Sequence, residues 1–424
     1  MGNTLKSVCD AKDNLEDHHV RAALQEDKGK GTTLMAWGLE DFTERGDHYI
    51  DVISGLYVRY GKGNTQNDET YIVKLSAPQA TKALRDMVAQ GNKKEILFYR
   101  ELLPALNSEL IKVGLNPLLT PQCLYANQVS ENSVLILTDL RSRNFKKFHG
   151  KNCLDIPHTR LILQELARFH SSSLLLKAAQ GPQFVSKYDF LDKEWYNVTE
   201  DAIDFFITLF DGNIENAVAI LKILEGDEGT IRWLQTIKHN VYKILEEMMK
   251  RDTVFTTVCH GDCLNNNVLF RYDEYGNPVE ALLLDFQIVR RASLVTDLHL
   301  LLNISVYGTD RNTNLENFLQ LYYNSFKQVF DAAGLQAPFQ FQELLQEYEN
   351  KIMFGILWAL AVIPTIVSEG EFSEWASSRD RANSEEAIGN QRESIDSKIS
   401  GKHGELRARF LPIFDELIDQ GIIN

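Results

Sequence analysis

The sequence predicts an α+β fold in which a small β-rich N-terminal part is followed by a larger, mainly helical part. Short runs of β-branched and aromatic residues surround a single helical segment between residues 47 and 137. From about Phe145 onward, apolar residues recur mainly at helical spacing. A chain of 424 residues can form two domains or one large two-lobed domain. We therefore predict an N-terminal part over residues 1–138 and a C-terminal part over residues 139–424.

The N-terminal part alternates between strands and a helix. Residues with β-branched and aromatic side chains indicate the strands, and glycine and polar residues indicate the turn between the first two. The helix is predicted because Ile96, Tyr99, Leu102 and Leu103 can share one of its faces. In chain order we predict a helix-capable leader, a strand, a turn, a strand, a helix and a strand, over residues 1–30, 47–60, 61–69, 70–75, 79–106 and 134–137.

Most of the predicted helices lie in the C-terminal part. They cover residues 159–177, 195–210, 213–224, 230–249, 295–306, 314–333, 341–363 and 406–419. The apolar run over residues 353–363 is too short to span a bilayer and stops at Pro364, so we predict a buried helix there. Residues 368–402 are polar, and they predict either a mobile loop or a wall of a ligand site.

The composition is that of a globular protein with an acidic surface. Hydrophobic residues make up 44% and charged residues 24% of the chain, which allows a sizeable core. Lysine and arginine total 44 against 59 acidic residues, a net charge of −15. Such a surface repels nucleic acid and anionic membranes, so we expect neither as a partner. Nothing in the sequence indicates an obligate protein partner.

The cysteines and the N-terminal residues predict the reducing cytoplasm. The chain has only five cysteines, and the first 30 residues are too polar for a secretory signal. Cys259 and Cys263 are separated by three residues, but a zinc site would need a second pair of ligands. We therefore favour packing thiols at both positions.

The most informative segment is residues 258–267, VCHGDCLNNN, which is followed by DFQ at residues 285–287. It supplies an acid, a carboxamide and a second acid, namely Asp262, Asn267 and Asp285. One bound metal–phosphate could contact all three, as phosphoryl transfer requires. Asp262 could accept the proton of an attacking hydroxyl, while oxygen ligands such as those of Asn267 and Asp285 suit Mg²⁺.

The residues between these groups predict how they come together. Strands are predicted over residues 253–258, 268–272 and 279–284, and the last two form a hairpin. Asn267 lies nine residues before Gly276 in the turn, and Asp285 lies nine residues after it. Equal distances from a turn place two residues side by side in an antiparallel pair. We therefore expect Asn267 and Asp285 to be neighbours, with Asp262 on the adjoining loop.

The pattern H-G-D-x-x-x-x-N followed by D-F-Q resembles the catalytic segment of aminoglycoside phosphotransferases and choline kinases, relatives of protein kinases. The longer stretch HGDCLNNNVLFRYDEYGNPVEALLLDFQIVRRASLVTDL is similar to the ecdysteroid kinase-like, or CHK kinase-like, family. Further agreement comes from YIVK, EILFY ending at LP, and LARFH, at residues 71–74, 95–104 and 166–170. The resemblance, from about Gly46 to the C-terminus, implies a two-lobed protein-kinase-like fold and a kinase that uses ATP and Mg²⁺.

The resemblance also implies roles in nucleotide binding. Lys74 would hold the nucleotide phosphates, and Glu95 on the following helix would orient it, with Glu101 as the alternative partner. Gly46 would begin the turn that faces the phosphates. From composition alone, Lys74 and Glu95 could instead be a surface lysine and a solvated helix glutamate.

Two positions depart from the family pattern. Asp51 stands where a serine is expected, and a carboxylate near the phosphates would repel a nucleotide unless it is turned away or paired. At the hinge, Asp139 and Leu140 agree with the family, whereas Thr138 replaces an acidic residue. Adenine is held at such a hinge mainly by main-chain groups, so this change is the milder one.

Several residues near the motif are predicted to be structural. His260 would brace the catalytic loop, and His299 would be a packed core histidine. The resemblance implies that Asp297 ties the loop to a helix. Arg290 and Arg291 could contact phosphate, or they could face solvent.

These observations predict in-line transfer of the γ-phosphoryl group of ATP to the hydroxyl of a small molecule. The resemblance points to a steroid-like alcohol, such as an ecdysteroid, or to a xenobiotic alcohol, with choline as the alternative. Six aromatic residues could line a sterol-sized pocket or simply form core: Phe205, Phe206, Phe210, Tyr307, Phe354 and Trp358.

Other classes of protein fit the sequence less well. A pseudokinase that binds a nucleotide or a hydrophobic ligand without turnover is motivated by Asp51 and the altered hinge. A protein kinase is disfavoured because H-G-D and D-F-Q replace H-R-D and D-F-G. A P-loop NTPase is excluded because the chain has no G-x-x-x-x-G-K-[ST] segment.

Overall fold

A five-stranded antiparallel sheet forms the N-terminal part of the chain. The computed structural model describes residues 14–40, 51–76, 81–129, 132–148, 153–251, 253–367 and 403–423. The sheet strands are β1 (Thr32–Glu40), β2 (Asp51–Lys62), β3 (Thr65–Ser76), β4 (Cys123–Val129) and β5 (Asn132–Thr138). They are arranged in the order β1-β2-β3-β5-β4, which places β3 and its Lys74 at the centre of the sheet.

Three helices accompany this sheet: α1 (Asp17–Lys28), α2 (Lys82–Leu97) and α3 (Leu103–Lys112), the last two joined by a π-helical segment, Phe98–Leu102. Helix α1 covers one face of the sheet, where Val20 and Leu24 pack with Val58, Val73 and Ile136. Thr81 caps the N-terminus of helix α2, because its side chain accepts the Leu84 N–H. The same helix carries Glu95 in its last turn.

The C-terminal part is mainly helical and contains two long helices, α4 (Ile156–Gln180) and α10 (Gly308–Ala332), whose buried apolar residues belong to one cluster. The other helices are α5 (Gln183–Lys187), α6 (Glu200–Ile223), α7 (Glu228–Ile237), α8 (Val241–Met248), α9 (Val295–Ile304), α11 (Phe341–Asn350), α12 (Ile352–Val367), α13 (His403–Phe410) and α14 (Asp415–Asp419). Short 3₁₀ turns occur at Leu140–Arg143, Asp189–Asp192, Asn265–Asn267 and Leu411–Ile413. The observed fold is therefore the predicted α+β, two-lobed, kinase-like class.

Five further strands lie within this helical part and carry residues 258–287, the predicted catalytic segment. They are β6 (Lys146–Lys147), β7 (Thr256–Cys259), β8 (Val268–Tyr272), β9 (Pro278–Leu283) and β10 (Arg290–Ser293). Strand β8 pairs with β6 and β9, and β7 pairs with β10. The loop after β7 leads into β8, which pairs with β9, and the loop after β9 leads into β10, which pairs with β7. The two loops therefore lie next to each other.

Several boundaries differ from the sequence prediction. Strands β1 and β4 were not predicted, and β1 is a largely exposed edge strand with little apolar alternation. Helix α6 continues through residues 211–212, where we predicted a break. A break occurs instead between α7 and α8, at His239, whose φ is 67°. The Asp211 carboxylate on α6 stabilises this break by accepting hydrogen bonds from the N–H and the Nδ1 atom of His239.

The predicted apolar helix is also different in shape. It consists of α11 and α12, which meet at an angle of 52°, and α12 runs past Pro364 to Val367. Because Pro364 lies in the last turn of α12, the lost backbone hydrogen bond affects only the helix end. Among the described residues, no single helix has the length and apolarity to cross a membrane, and only the bent pair α11–α12, counted together, reaches that length and composition. The segment 368–402 lies outside the described residues.

The register of the catalytic hairpin is shifted by one residue from our prediction. Val268 pairs with Leu283, and the Leu284 N–H donates to the Asn267 carbonyl over 2.9 Å. An irregularity between Arg271 and Tyr272 leaves an extra residue on β9, so the turn is not symmetric about Gly276. Asn267 therefore lies opposite Leu284, and Asp285 follows immediately beyond the paired strand.

Candidate active site

Lys74 connects the N-terminal sheet, α2 and the D-F-Q segment. Its Nζ atom lies 2.8 Å from Glu95 Oε2 and 2.9 Å from Asp285 Oδ1. The Lys74 side chain is only 9% exposed, so these contacts are shielded from water and are stronger than a surface ion pair. The predicted pairing of Lys74 with Glu95 is confirmed, and the alternative partner Glu101 is exposed to solvent.

The three residues of the D-F-Q segment contact β3, α2 and the π-helical segment that follows α2. Besides the Asp285–Lys74 contact, the Phe286 N–H donates to Glu95 Oε1 over 3.3 Å. The Phe286 ring stacks on Phe98, with ring centroids 3.8 Å apart. Gln287 donates to Asn92 Oδ1 over 2.7 Å. Sequence reasoning missed Asn92, although its place three residues before Glu95 puts both side chains on one helix face.

Asp262 and Asn267 form the second half of the candidate site. Asn267 Nδ2 donates to the Asp262 carboxylate over 2.8 Å and to its backbone carbonyl over 3.0 Å. These two hydrogen bonds join Asp262 and Asn267 across the catalytic loop. They also fix the carboxamide orientation, so that Asn267 Oδ1 is turned away from Asp262.

The electrostatic environment of Asp262 favours its protonated form. Burial and the nearby negative charge of Asp285 raise the pKa of Asp262 to about 7, while Asn267 and Arg290 oppose this effect. The interaction with Asp285 means that the two carboxylates lie in the same charged environment. Asp262, Asn267 and Asp285 are thus brought together at one end of the hairpin.

Asp285 adopts a left-handed backbone conformation, with φ of 64°. Such a conformation is unusual for a residue other than glycine, and aspartate is among the few that adopt it at modest cost. The turn directs the carboxylate away from β9 and towards Lys74. Asp285 therefore follows the end of β9, and its backbone no longer has the extended conformation of a strand.

The Asp297 side chain on α9 holds the catalytic loop in place through hydrogen bonds. This fully buried carboxylate accepts the His260 N–H over 2.6 Å and the Gly261 N–H over 2.9 Å. It also contacts His170 Nε2 at 3.0 Å, and His170 Nδ1 in turn lies 2.8 Å from the Tyr322 hydroxyl. Although burial opposes it, the bond to His170 keeps the pKa of Asp297 low.

His260 has the bracing position that we predicted. Its Nε2 atom lies 2.8 Å from the Leu284 carbonyl, and its Nδ1 accepts the Asp262 N–H over 3.3 Å. Burial lowers the pKa of His260, which favours the neutral ring. His260 thus links the loop before Asp262 to the strand end before Asp285. His299 is a fully buried core histidine, also as predicted.

The residues that we predicted at the hinge, Asp139 and Leu140, lie at the start of a 3₁₀ turn. The Asp139 side chain accepts the Arg141 N–H and contacts the Arg141 guanidinium through both carboxylate oxygens. Burial opposes it, but Arg141 lowers the pKa of Asp139. Leu140 is buried and begins a 3₁₀ turn. The Asp139 carboxylate therefore stabilises this turn through Arg141.

Two of the residues singled out in the sequence lie wholly or partly outside the described part of the structure. Gly46 lies outside the described residues, and the side chain of Asp51 is also not described. Arg291 pairs with Asp192 over 2.6 Å, whereas Arg290 is 1% exposed and lies over the Phe354 ring. The solvent-facing alternative is therefore wrong for Arg290.

The predicted aromatic set is only partly brought together. Phe206, Phe210, Phe354 and Trp358 belong to one cluster, in which the Phe206 and Phe210 rings lie 4.6 Å apart. The three phenylalanines are at most 2% exposed, so they are core residues and do not line an open pocket. Phe205 is half-buried against the same cluster, whereas Tyr307 lies near Cys153 instead.

Cys259 and Cys263 are packing residues, in agreement with the sequence analysis. Both are fully buried, and burial raises the pKa of both thiols well above the ordinary value. Cys259 lies near His170 and Asp297, a combination that could hold a metal ion by distance alone. Because Asp297 and His170 already bond to each other and to the catalytic loop, the cluster is a structural one.

The donor set next to Asp262 fits a hard divalent cation. Asp285 offers a carboxylate that is 23% exposed, and Asn267 offers a carboxamide oxygen whose orientation is fixed. Oxygen ligands of these two types are the ones that Mg²⁺ prefers. The residues of the site are therefore compatible with a magnesium ion bound at this end of the hairpin.

Comparisons with known proteins identify a family whose match includes residues 258–287. The model of the ecdysteroid kinase-like family matches residues 45–335, which is more than half of the chain. A glucosamine kinase is among the similar solved structures, with 12% identity over 83% of this chain and 92% of that one and a TM-score of 0.30. No curated protein matches the chain in sequence. The protein belongs to the ecdysteroid kinase-like family of small-molecule kinases.

Proposed function

We propose that the protein is an ATP- and Mg²⁺-dependent kinase that phosphorylates a hydroxyl group of a small molecule. The observation that carries the proposal is the double contact of Lys74 with Glu95 and Asp285, next to Asp262. A cation for phosphates, a carboxylate for a metal and a carboxylate for a proton would thereby be available close to one another. The division into lobes at residues 138 and 139 is part of this proposal.

In the proposed reaction, Asp262 accepts the proton of the acceptor hydroxyl as its oxygen attacks the γ-phosphorus. A new P–O bond forms, the bond to the β-phosphate oxygen breaks, and ADP leaves with that electron pair. Lys74 neutralises charge on the nucleotide phosphates while Glu95 holds the lysine in position. Asn267 restrains the Asp262 side chain through the 2.8 Å hydrogen bond.

The carboxylate of Asp285 and the Oδ1 atom of Asn267 would hold Mg²⁺. A bound magnesium ion would neutralise negative charge on the β- and γ-phosphates. Asp285 also interacts with Lys74, so that its carboxylate can be shared between the ion and the lysine. The hinge residues Asp139 and Leu140 would contact the adenine through their main chain.

For the acceptor we propose a steroid-like alcohol such as an ecdysteroid, or a xenobiotic alcohol. This part of the proposal rests on family membership. The aromatic cluster around Phe206 does not support it, because those rings are packed against one another. The acceptor class therefore has to be tested with compounds of different polarity.

The proposal is tested by a phosphotransfer assay with ATP and a panel of hydroxylated steroids, xenobiotic alcohols and choline. Products are identified by mass spectrometry as a mass gain of one phosphate. We expect transfer that depends on Mg²⁺ and that falls by about 10²–10⁴-fold in Asp262→Asn, because the proton acceptor is lost. Asp331→Asn, on the exposed side of α10, is the matched control and retains activity.

A second variant separates metal binding from proton transfer. Asp285→Asn preserves the left-handed backbone but weakens Mg²⁺ binding, so we expect a higher Mg²⁺ requirement as well as slower transfer. If the wild-type protein binds ATP but transfers phosphate to none of the acceptors tested, the ligand-binding pseudokinase is favoured. Phosphorylation of choline alone would instead identify a choline-type kinase.

A further inference from the structure

A chain of four buried polar side chains connects the D-F-Q segment to the N-terminal sheet. Gln287 donates to Asn92 Oδ1 on α2 over 2.7 Å, and Asn92 Nδ2 donates over 2.9 Å to Ser76 Oγ at the end of β3. Ser76 Oγ lies 2.8 Å from Ser133 Oγ and also accepts the Ser133 N–H over 2.9 Å. All four residues are buried. The contacts therefore run without interruption from the loop after β9, through α2, to β3 and β5.

The Ser76 hydroxyl uses its full hydrogen-bonding capacity in this chain. A hydroxyl group has one proton and two lone pairs. The two lone pairs accept Asn92 Nδ2 and the Ser133 N–H, which leaves the Ser76 proton for Ser133 Oγ. A buried and completed network of this kind is rigid, because water does not compete for its members. The position of Ser76 therefore fixes the position of the Asn92 side chain.

This chain runs beside the contact between Lys74 and Glu95. Lys74 and Ser76 are two residues apart on β3, so their side chains lie on the same face of the sheet. Glu95 and Asn92 are three residues apart on α2 and share one helix face. Each pair joins β3 to α2, and each of the two α2 residues also bonds to the D-F-Q segment. Two parallel connections, one charged and one neutral, thus join β3 to D-F-Q.

The two connections differ in how the proposed reaction would affect them. Lys74 would turn to the nucleotide phosphates and Asp285 to Mg²⁺, so the charged connection has to exchange partners when MgATP binds. The amides of Asn92 and Gln287 are neutral and take no part in that exchange. Helix α2 also lies directly on Gln287, since a Cβ added at Gly91 would lie 3.6 Å from the Gln287 Cβ and from its carbonyl oxygen. The neutral connection can therefore keep β3 and D-F-Q at a constant separation while the charged groups rearrange.

We propose that Asn92 is a positioning residue for the proposed Mg²⁺ site. Through its two hydrogen bonds it holds Asp285 at a fixed distance from Lys74 when MgATP binds. Asn92 acts through its bonding partners, Gln287 and Ser76, which are each two residues away from those groups in the chain. This inference rests on the proposed kinase function. Without the connection, Asp285 would occupy a range of positions, and a misplacement of about 1 Å can slow a reaction about 10²-fold.

The test is phosphotransfer from ATP to the acceptor that the wild-type protein phosphorylates fastest in the panel described above, measured during a titration of free Mg²⁺. In the double variant Asn92→Leu/Gln287→Met, apolar side chains of similar size replace both partners. Neither amide is then left without the other, so urea denaturation should show nearly wild-type stability. We expect the Mg²⁺ midpoint to rise several-fold and kcat to fall about 10-fold, while the KM of the acceptor stays unchanged.

The Mg²⁺ midpoint separates positioning from folding. A variant that had merely lost folded protein would have a lower apparent kcat, but its remaining folded molecules would keep the wild-type midpoint. Gln287→Met alone should raise the midpoint as the double variant does, because it breaks the same hydrogen bond. A double variant with the wild-type Mg²⁺ midpoint would overturn the inference, whatever its kcat.

Gln128→Met is the matched control. Gln128 on β4 donates to the Ala89 carbonyl on α2 over 2.9 Å, so it also joins the sheet to α2, through a bond that does not include D-F-Q. The control should keep the wild-type Mg²⁺ midpoint. Ser76→Ala breaks the neutral connection at β3 and should raise the midpoint. An unchanged midpoint in Ser76→Ala, or an equal rise in Gln128→Met, would contradict the proposed connection to β3.

Failure of this inference differs from failure of the proposed function. If the wild-type protein transfers phosphate to no acceptor in the panel, the kinase proposal is wrong and the inference is wrong with it. If the wild-type protein transfers phosphate and all variants share its Mg²⁺ midpoint, only the inference is wrong.

Discussion

Two buried clusters of charged residues flank the catalytic loop, and they differ in how completely their hydrogen bonds are formed. Around Asp297, both carboxylate oxygens accept backbone N–H groups, and the chain of contacts continues through His170 to Tyr322. Around Lys94 and Arg290, several donors have no partner among the described residues. The first cluster is complete within the protein, whereas the second has unfilled donors in the described part of the chain.

The difference separates two kinds of buried charge by a physical criterion, the completeness of their hydrogen bonds. A completed network resists change, because removing any member leaves other buried groups without partners. An incomplete network already contains that cost, so removal of one charge relieves it. Substitutions in the two clusters should therefore affect stability in opposite directions.

The largest expected effect is that of Asp297→Ala. The change leaves the His260 N–H, the Gly261 N–H and His170 Nε2 without their acceptor, in a fully buried place. We expect a loss of about 3–5 kcal/mol in the free energy of unfolding, measured by urea denaturation. Lys94→Met should show no loss, and a similar loss in both variants would remove the distinction between the clusters.

Gly261→Ala tests how tightly the completed cluster holds the catalytic loop. Gly261 has φ of 88°, and an added Cβ would lie 2.3 Å from the Ile288 carbonyl oxygen. We expect a loss of about 3 kcal/mol, from backbone strain together with the clash. Gly276→Ala is the control, because its φ of 84° is similar but no atom lies within 4 Å of its Cβ position. It should cost about 1 kcal/mol, and equal losses in the two variants would show that the loop is free to move.

A smaller effect is expected from pH, through His299 on the same helix as Asp297. Burial lowers the pKa of His299 to about 3, and its Nε2 atom lies 2.8 Å from the Tyr348 carbonyl. Because the unfolded state takes up the proton more readily, this contribution to stability is complete above pH 6.5 and decreases as the pH falls towards 3. Between pH 7 and pH 5, the wild type should lose about 2 kcal/mol more than His299→Gln in urea denaturation. Parallel losses in both proteins would place the relevant proton elsewhere.

The smallest expected effect is that of Tyr322→Phe at the far end of the Asp297 network. Only the hydroxyl group that contacts His170 Nδ1 is lost, while the ring packing remains. We expect a decrease of about 1 kcal/mol in the free energy of unfolding, with phosphotransfer unchanged. A loss as large as that of Asp297→Ala would mean that the hydroxyl, and not the carboxylate, organises this cluster.

The proximity of the candidate site residues could be predicted from sequence because they are close in the chain. Asp262, Asn267 and Asp285 lie within one loop and one hairpin, so local strand and turn preferences bring them together. Lys74 and Glu95 were found through their order relative to that motif. The one-residue error in the hairpin register arose from an irregularity that strand propensity does not encode.

The Lys94 and Arg290 cluster could not be predicted in the same way. Its members come from α2, the segment before α6 and β10, and only tertiary packing brings these segments together. In sequence, Lys94 resembles any helix lysine, and Glu194 precedes an unremarkable aromatic pair. The break at His239 was missed for a similar reason, because it depends on Asp211 in another helix.

The contact between Lys74 and Asp285 has a consequence for nucleotide affinity. Lys74 pairs with Glu95 and also with Asp285, and the 2.9 Å contact with Asp285 occupies a donor that a phosphate would otherwise use. The carboxylate acts as a tethered competitor, and its effective concentration is set by the fold. In the proposed kinase, a nucleotide would have to displace Asp285 from Lys74, so we expect tight binding only of nucleotides that bring a divalent ion to occupy Asp285 in exchange.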